Sequence, residues 1–532
     1  MSYEYVSADG LNQYSDINTE GTIVKARYLP SSLKTERGKR LIEALPLPRI
    51  ESREWQAAYT IPLSQYKWDP DKPKFEKLLE IWQLKNIRFP LPFAGEIERE
   101  FYRSITDSYC SRYLSEEEVS GNITVNNTMV KQYGKIAPKK NGAVVGFSLL
   151  GSSQSGKTSA LKIMTDWYPQ VIEHPLDNGG RFTQIVYLNV ECQVHSSMRG
   201  MFGAIGHEID RALGNTEEIY EALFRKNRQT ISQKEQLLRK LIDTFAIGAL
   251  ILEECQSMNF NNKDEKSFEA FLTLCNETGI ALIMVGTEDA RKKMFGYAAR
   301  TAHRVGPEVK SDMYCENNQF LSTLILRLFE YQWFDEKVDL TPEIANELIE
   351  SSHGIIGLLI RIYMYMNTDY VTAYRKPVVN AEYVKATTKR HFSEIIKLLK
   401  ASDTKEADEK YKKMIADLDG KMKETIESEE RQAHNAKELA DSSEDLQKLE
   451  ELKSFLTERC LDDQDYDPAF LNRMIDEAII DGTVIGVSKR EAYRRLRERL
   501  RNKEKPRKPS SSKNKKDWIK EAESGRNDDP FK

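Results

Sequence analysis

No stretch of this chain approaches the 18 consecutive apolar residues of a membrane-spanning helix, so no such span is expected. The opening residues Met1-Ser-Tyr-Glu-Tyr-Val6 lack the basic and apolar segments of a secretory signal, and none is expected. Cysteine is sparse, with six in 532 residues (110, 192, 255, 275, 315 and 460), and no two stand as Cys-x-x-Cys. That spacing argues against a disulfide framework or a zinc ribbon and for reduced thiols in a cytosolic core. There is no internal repeat, which excludes a solenoid. No segment reads as a helix-turn-helix, so a sequence-specific reader of DNA is not expected.

What is present is charge. Charged residues make up 30% of the chain and apolar residues 40%, which suits a helix-rich fold with exposed charged helices. The length implies two to four domains. The net charge of −4 hides an uneven distribution, because Lys489–Lys520 holds 15 Lys and Arg against 4 Asp and Glu. Such a block meets nucleic acid or an acidic partner, or is a solvated tail.

Residues Gly151-Ser152-Ser153-Gln154-Ser155-Gly156-Lys157-Thr158 spell a P-loop, with Ser159 next. The apolar run Ala143–Leu150 before them reads as a strand, and the pattern Lys157–Trp167 after them as a helix. Glycine lets the loop turn its N–H groups inward onto phosphate oxygens, and the helix N-terminus adds positive potential. Lys157 reaches the β- and γ-phosphates, and Thr158 offers its hydroxyl to Mg²⁺. ATP and Mg²⁺ are the expected cofactors.

Strands and helices alternate after the loop. Arg181–Val190 reads as a second strand. Met201, Ile205, Ile209 and Leu213 put one apolar stripe on a helix that Gly214 ends. Ile247–Leu252 and Ile280–Val285 are continuous apolar runs, as in strands buried on both faces of a parallel sheet. The fold class is therefore α/β: a P-loop domain of the AAA+ type, a parallel sheet flanked by helices. A last strand is expected within 305–320. The expected division is an accessory N-terminal region at 1–135, the nucleotide-binding domain at 136–316 and a helical lid at 317–400. A charged helical region at 401–488 and a basic, disordered tail at 489–532 follow. Gly134–Gly142 reads as the linker into the nucleotide-binding domain. Thr341-Pro342 starts a lid helix, with Thr as N-cap and Pro at N1.

Phosphoryl transfer to water needs acids at the end of a neighbouring strand. Glu253-Glu254 follow Leu250-Ile-Leu252; Glu253 takes the metal side and Glu254 the general-base role. Thr287, after the next strand, is placed to touch the γ-phosphate or the lytic water. A cation from an adjacent subunit would meet the developing charge. Arg300 and Arg304, four residues apart, are candidates, and which of them acts stays open. Arg361, in the lid, could swing toward the nucleotide.

Several of these stretches resemble the TnsC family, the AAA+ regulators of Tn-seven-like bacterial transposons. They are Leu149–Thr158, Tyr168-Pro-Gln-Val-Ile172, Gln184–Leu188, Asp210-Arg-Ala-Leu-Gly214, Val285-Gly-Thr287 and Ala290-Arg291. The match is specific between about 140 and 310. Upstream, Glu43-Ala-Leu-Pro46 is similar to the family's early segment. The resemblance implies an ATPase that forms rings or helical filaments on duplex DNA, without sequence preference, in the bacterial cytoplasm at the nucleoid. It implies a link between a target selector, TnsD or a TniQ-type protein, and the transposase subunits TnsA and TnsB. It also implies DNA contacts from Arg199, with Thr216 and Lys226 as weaker matches. Two departures stand out: Glu253 replaces the family's Asp, and the lid arginine is displaced. Both fit slow, regulatory hydrolysis. The alternatives are a helicase-loader-like remodelling ATPase and a non-catalytic scaffold that binds ATP.

Overall fold

The computed structural model describes residues 10–18, 21–31, 33–110, 112, 114–136, 146–192, 197–226, 229–257, 271–290, 306–401, 405–441, 443–463 and 468–503. In chain order the strands are β1 (Ile23–Lys25), β2 (Leu114–Val125), β3 (Thr128–Ile136), β4 (Gly146–Leu150), β5 (Val171–Pro175), β6 (Arg181–Ile185), β7 (Tyr187–Glu191), β8 (Ala249–Glu253), β9 (Ala281–Gly286) and β10 (Glu308–Lys310).

The apolar runs after residue 145 become one parallel sheet in the order β10-β4-β9-β8-β7. Its alternate side chains enter two separate cores, as the two-residue period of a strand requires. Phe147, Leu149, Ile251, Ile283 and Val285 face one core. Leu150, Leu188, Leu250, Leu252, Leu282 and Met284 face the other. A sheet covered on both faces cannot show apolar/polar alternation, so its strands read as continuous apolar runs.

Three stretches differ from the sequence reading. Arg181–Val190 is not one strand. It divides at Val186 into β6, antiparallel to β5 in an outer sheet β1-β5-β6, and β7 at the edge of the main sheet. Hydrophobicity does not change at the break; what changes is the hydrogen-bond partner, since Val186 N–H donates to Gln170 O. The expected linker Gly134–Gly142 begins inside a hairpin of β2 and β3, whose strands meet at Asn126-Asn127. Both Asn residues have positive φ (49° and 57°), the backbone that a two-residue hairpin turn needs. Finally, Lys489–Lys503, expected in a disordered tail, is helical, with Ala492, Leu496 and Leu500 buried on one side. The charge count concealed that four-residue apolar repeat. Residues 504–532 lie outside the described residues.

Other elements follow their local chemistry. The helix Met198–Ala212 ends before Gly214, whose φ is 70°. Thr341 caps the lid helix Pro342–Ser352 by accepting from Ile344 N–H, with Pro342 at N1. The expected last strand is β10. The charged region contains the helices Lys405–Asp441, Ser443–Asp463 and Pro468–Ile480, and Leu456, Leu471, Met474, Ile475 and Leu496 form a small core there.

The segment before residue 112 packs onto the sheet rather than apart from it. Its Tyr14, Leu78, Phe101 and Tyr109 share one apolar cluster with Phe147 and Ile283. Buried polar ties fasten it. Arg49 pairs with Glu98, which also accepts from Tyr59 Oη at 2.8 Å, and Arg49 Nη2 reaches Ile163 O on the P-loop helix at 3.1 Å.

His174 on β5 makes a second tie. Its Nδ1 lies 3.0 Å from Tyr28 Oη and its Nε2 lies 2.7 Å from Gln184 Oε1. Burial, aided by the charge of Arg40 and opposed by the bond to Gln184, pushes its imidazole down to about 4. The unfolded chain takes up a proton near pH 6.5 that the folded chain refuses until about pH 4. This stability is therefore complete above pH 6.5 and lost as the pH falls toward 4. The loss amounts to about 3 kcal/mol. In urea unfolding at pH 7 and pH 4.5, His174→Gln should lose less stability on acidification than the wild type.

Candidate functional site

The P-loop leaves the end of β4, between β10 and β9 in the sheet, and turns into the helix Lys157–Thr165. Gly156 caps that helix with φ 93°, and a Cβ there would meet Leu91 at 2.6 Å, so only glycine fits. Gln154 also takes positive φ, at 61°. Lys157 Nζ donates to the loop's own carbonyls, Gly151 O at 2.9 Å and Ser152 O at 2.7 Å. The loop is braced from behind by the residues after β10. Asp312 Oδ2 accepts from both Ser152 N–H and Ser152 Oγ at 2.8 Å. Ser311 Oγ meets Ser155 Oγ at 2.7 Å, and Tyr314 Oη donates to Ser155 O at 3.2 Å.

Two strand ends bring acids and a threonine to the loop. Thr158 Oγ1 donates to Glu253 Oε2 at 3.1 Å, and Asn189 Nδ2 donates to Glu253 Oε1 at 2.7 Å. Burial pushes the Glu253 carboxyl up, while the bonds from Asn189 and Thr158 pull it back. Asn189 Oδ1 is buried with no hydrogen-bond partner. A hydroxyl, a carboxylate that burial strains and an orphaned amide oxygen are hard oxygen donors, and they fit Mg²⁺. Among the described residues no three His, Cys, Asp or Glu side chains cluster as a metal cage, so phosphate oxygens would supply the remaining ligands.

Glu254 adopts φ 57°, an unusual backbone for a side chain of this size. Its Oε2 accepts from Gln256 Nε2 at 2.7 Å, and Gln256 Oε1 in turn accepts from Thr287 N–H at 3.2 Å. Gln256 thus joins the ends of β8 and β9. A cavity of about 410 Å³ gathers Gln154, Lys157, Thr158, Ser159, Glu254, Thr287 and Arg361. Ile87, Leu91, Ile356 and Met364 line its apolar side. Ser153 and Gly156 also border it. Ser152 and Ser155 instead turn their side chains toward Asp312 and Ser311. Arg361 lies in the lid helix Ile356–Thr372 and reaches Gln154 Oε1 at 3.4 Å.

Residues 147–294 match the family model described as the AAA domain. This chain carries an AAA-type P-loop ATPase domain. Solved structures similar to the chain include the Walker-type ATPase PABY2304 of Pyrococcus abyssi. That match has 11% identity, covers 66% of this chain and 90% of that one, and has a TM-score of 0.30. The ORC2 protein of Aeropyrum pernix, in ADPNP–ADP complexes, matches at 12% identity, covering 68% and 81%, with a TM-score of 0.29. No curated protein matches the sequence. Among the described residues no helix is long and apolar enough to cross a membrane.

The remaining sequence candidates lie elsewhere. Arg199 and Lys226 are exposed and both meet Gln229: Arg199 Nη2 approaches Gln229 O at 3.5 Å, and Gln229 N–H donates to Lys226 O. Thr216 sits at the opposite end of the helix Met198–Ala212, where its hydroxyl accepts from Asn127 Nδ2 at 2.6 Å. Arg300 and Arg304 lie outside the described residues.

Sequence reasoning missed Asn189, Gln256, Ser311 and Asp312. Asn189 carried a faint signal, a lone amide in an apolar strand. The other three depend on which strand is the neighbour of which. Replacing Asp312 with Ala leaves Ser152 N–H without its acceptor and unpins the loop. Affinity for a fluorescent ATP analogue should fall about tenfold, the cost of one lost hydrogen bond to a charged group.

Proposed function

We propose that this protein is an ATP-switched regulator of DNA transposition, an AAA+ ATPase that assembles on duplex DNA and links a target selector to a transposase. The observation that carries the ATP-dependent part is the single cavity holding Lys157, Thr158, Glu254, Thr287 and Arg361. They come from the P-loop, two strand ends and the lid. The transposition part rests on the sequence resemblance to the TnsC family between about 140 and 310.

In this reading Lys157 exchanges its loop carbonyls for the β- and γ-phosphate oxygens. Thr158 and Glu253 would hold Mg²⁺, which would supply charge neutralisation at the phosphates. Glu254 accepts a proton from the attacking water, and Thr287 orients that water. Arg361 approaches the phosphates from the lid and couples lid position to ATP. The longer Glu253 side chain, in place of Asp, fits slow turnover. Arg300 or Arg304 would supply a cation to a neighbouring copy.

The exposed side chains of Arg199 and Lys226, brought together at Gln229, support backbone contact with DNA. Contacts to phosphate alone give binding without sequence preference and with steep salt dependence. A scaffold that only binds ATP, and a remodelling motor of the helicase-loader kind, are the competing readings. Release of phosphate when DNA is added separates the regulator from the scaffold, and a slow rate separates it from the motor.

Two outcomes are expected. Glu254→Gln should bind ATP but release phosphate at least about a hundredfold more slowly, and should remain on DNA by electron microscopy. DNA release at the wild-type rate would remove Glu254 from the general-base role. Arg199→Ala and Lys226→Ala should each weaken binding equally on unrelated duplexes. Each should also lower the slope of log K against log salt by about one. An unchanged slope would move the DNA contact away from these two residues.

A further inference from the structure

The helix Lys405–Asp441, which follows the lid, reaches back to the ATPase cavity. Two of its side chains line that cavity, Lys412 and Asp419. Lys412 forms an ion pair with Glu254 Oε2, the oxygen that also accepts from Gln256. Asp419 takes Arg361 in a two-pronged pair, with Nη2 to Oδ2 at 3.0 Å and Nε to Oδ1 at 3.3 Å. The two residues are seven apart, two helical turns, so they share one face about 10 Å along the axis. The same helix is anchored by its buried residues Tyr411, Ile415, Leu418 and Met422. Leu418 O accepts from Tyr365 Oη of the lid helix at 2.7 Å, and Glu429 pairs with Lys74 at 2.6 Å.

We propose that this helix is a latch on hydrolysis, with Lys412 and Asp419 as positioning residues that hold Glu254 and Arg361 out of their working arrangement. The proposal rests on the ATPase reading given above. A general base needs a lone pair for the water proton. Glu254 Oε2 instead accepts from an ammonium and an amide, which draw charge from the carboxylate and leave Oε1 alone to take the water proton. Arg361 is likewise committed to a carboxylate rather than to phosphate. Both ties sit on one helix, so a single displacement frees the base and the lid arginine together. The Glu254–Lys412 pair is only partly buried, with side-chain exposures of 26% and 46%, so each tie is weak enough to break during a cycle.

The test uses the full chain, with phosphate release and binding of a fluorescent ATP analogue measured on the same preparations. Lys412→Ala should raise kcat about two- to fivefold, the range of a half-exposed ion pair, with analogue affinity unchanged. Lys412→Arg, which keeps the charge, should stay at the wild-type rate. Asp419→Ala should tighten analogue binding by freeing Arg361. Wild-type turnover with Lys412→Ala equal or slower would overturn the latch and leave the ATPase reading intact. A wild type that binds no analogue would remove the ATPase reading, and the latch with it. A wild type that binds without hydrolysing, joined by an equally silent Lys412→Ala, would overturn the latch and favour the scaffold that only binds ATP. A second measurement needs no variant. Hydrogen exchange in residues 410–422 should quicken when a non-hydrolysable ATP analogue is added, and unchanged exchange would also overturn the latch.

Discussion

The nucleotide site depends on the parallel pairing of β4 with its two neighbours, β10 and β9. Parallel strands bring all their carboxyl ends to one edge. The P-loop therefore emerges with the residues after β10 on one side and those after β9 and β8 on the other. Backbone contact at that edge is close: Gly151 N–H donates to Gly286 O at 3.3 Å. At the other end of β4, Gly146 stands at φ 135°, where a Cβ would lie 1.9 Å from Leu282 O. A shift of β4 against β9 would move the loop away from Glu254 and Thr287 at once.

Around that frame, charge is matched pair by pair. Lys157 folds onto carbonyls of its own loop, Glu254 onto Lys412, Arg361 onto Asp419, and Asp312 onto the loop N–H of Ser152. Half-buried charges left unmatched would be costly, and each of these is held by a partner that phosphate or water could replace. Two of the partners come from the helix Lys405–Asp441, so that helix belongs to the environment of the site. The N-terminal segment contributes differently. Arg49 and Glu98 fasten it to the P-loop helix, and Ile87 and Leu91 supply an apolar wall.

Much of this was legible in the chain because the signals are local. Gly156, Lys157 and Thr158 carry their geometry in their own backbone preferences. Leu250–Leu252 and Ile280–Val285 announce buried strands by being apolar throughout. Thr341-Pro342 and Gly214 mark helix ends by capping chemistry. The division at Val186 was not legible, because β6 and β7 have similar side chains and differ only in which strands they pair with. The hairpin turn at Asn126-Asn127 carried a usable signal, two residues that tolerate positive φ, but polar flanks obscured it. The helix Lys489–Lys503 was masked by its charge, although Ala492, Leu496 and Leu500 repeat every four residues.

The sequence by itself determined the P-loop, the strand-and-helix alternation and the acid pair, since each follows from preferences that act over a few residues. Only the tertiary structure decided that Gln256 bridges Glu254 to Thr287, that Asp312 braces the loop, and that Lys412 and Asp419 lie at the cavity. Those contacts span from tens of residues to more than 150, apart from the two-residue step between Glu254 and Gln256. Side chains so far apart in sequence meet only after burial of two apolar faces has fixed strand order and helix position, and no local preference encodes that order.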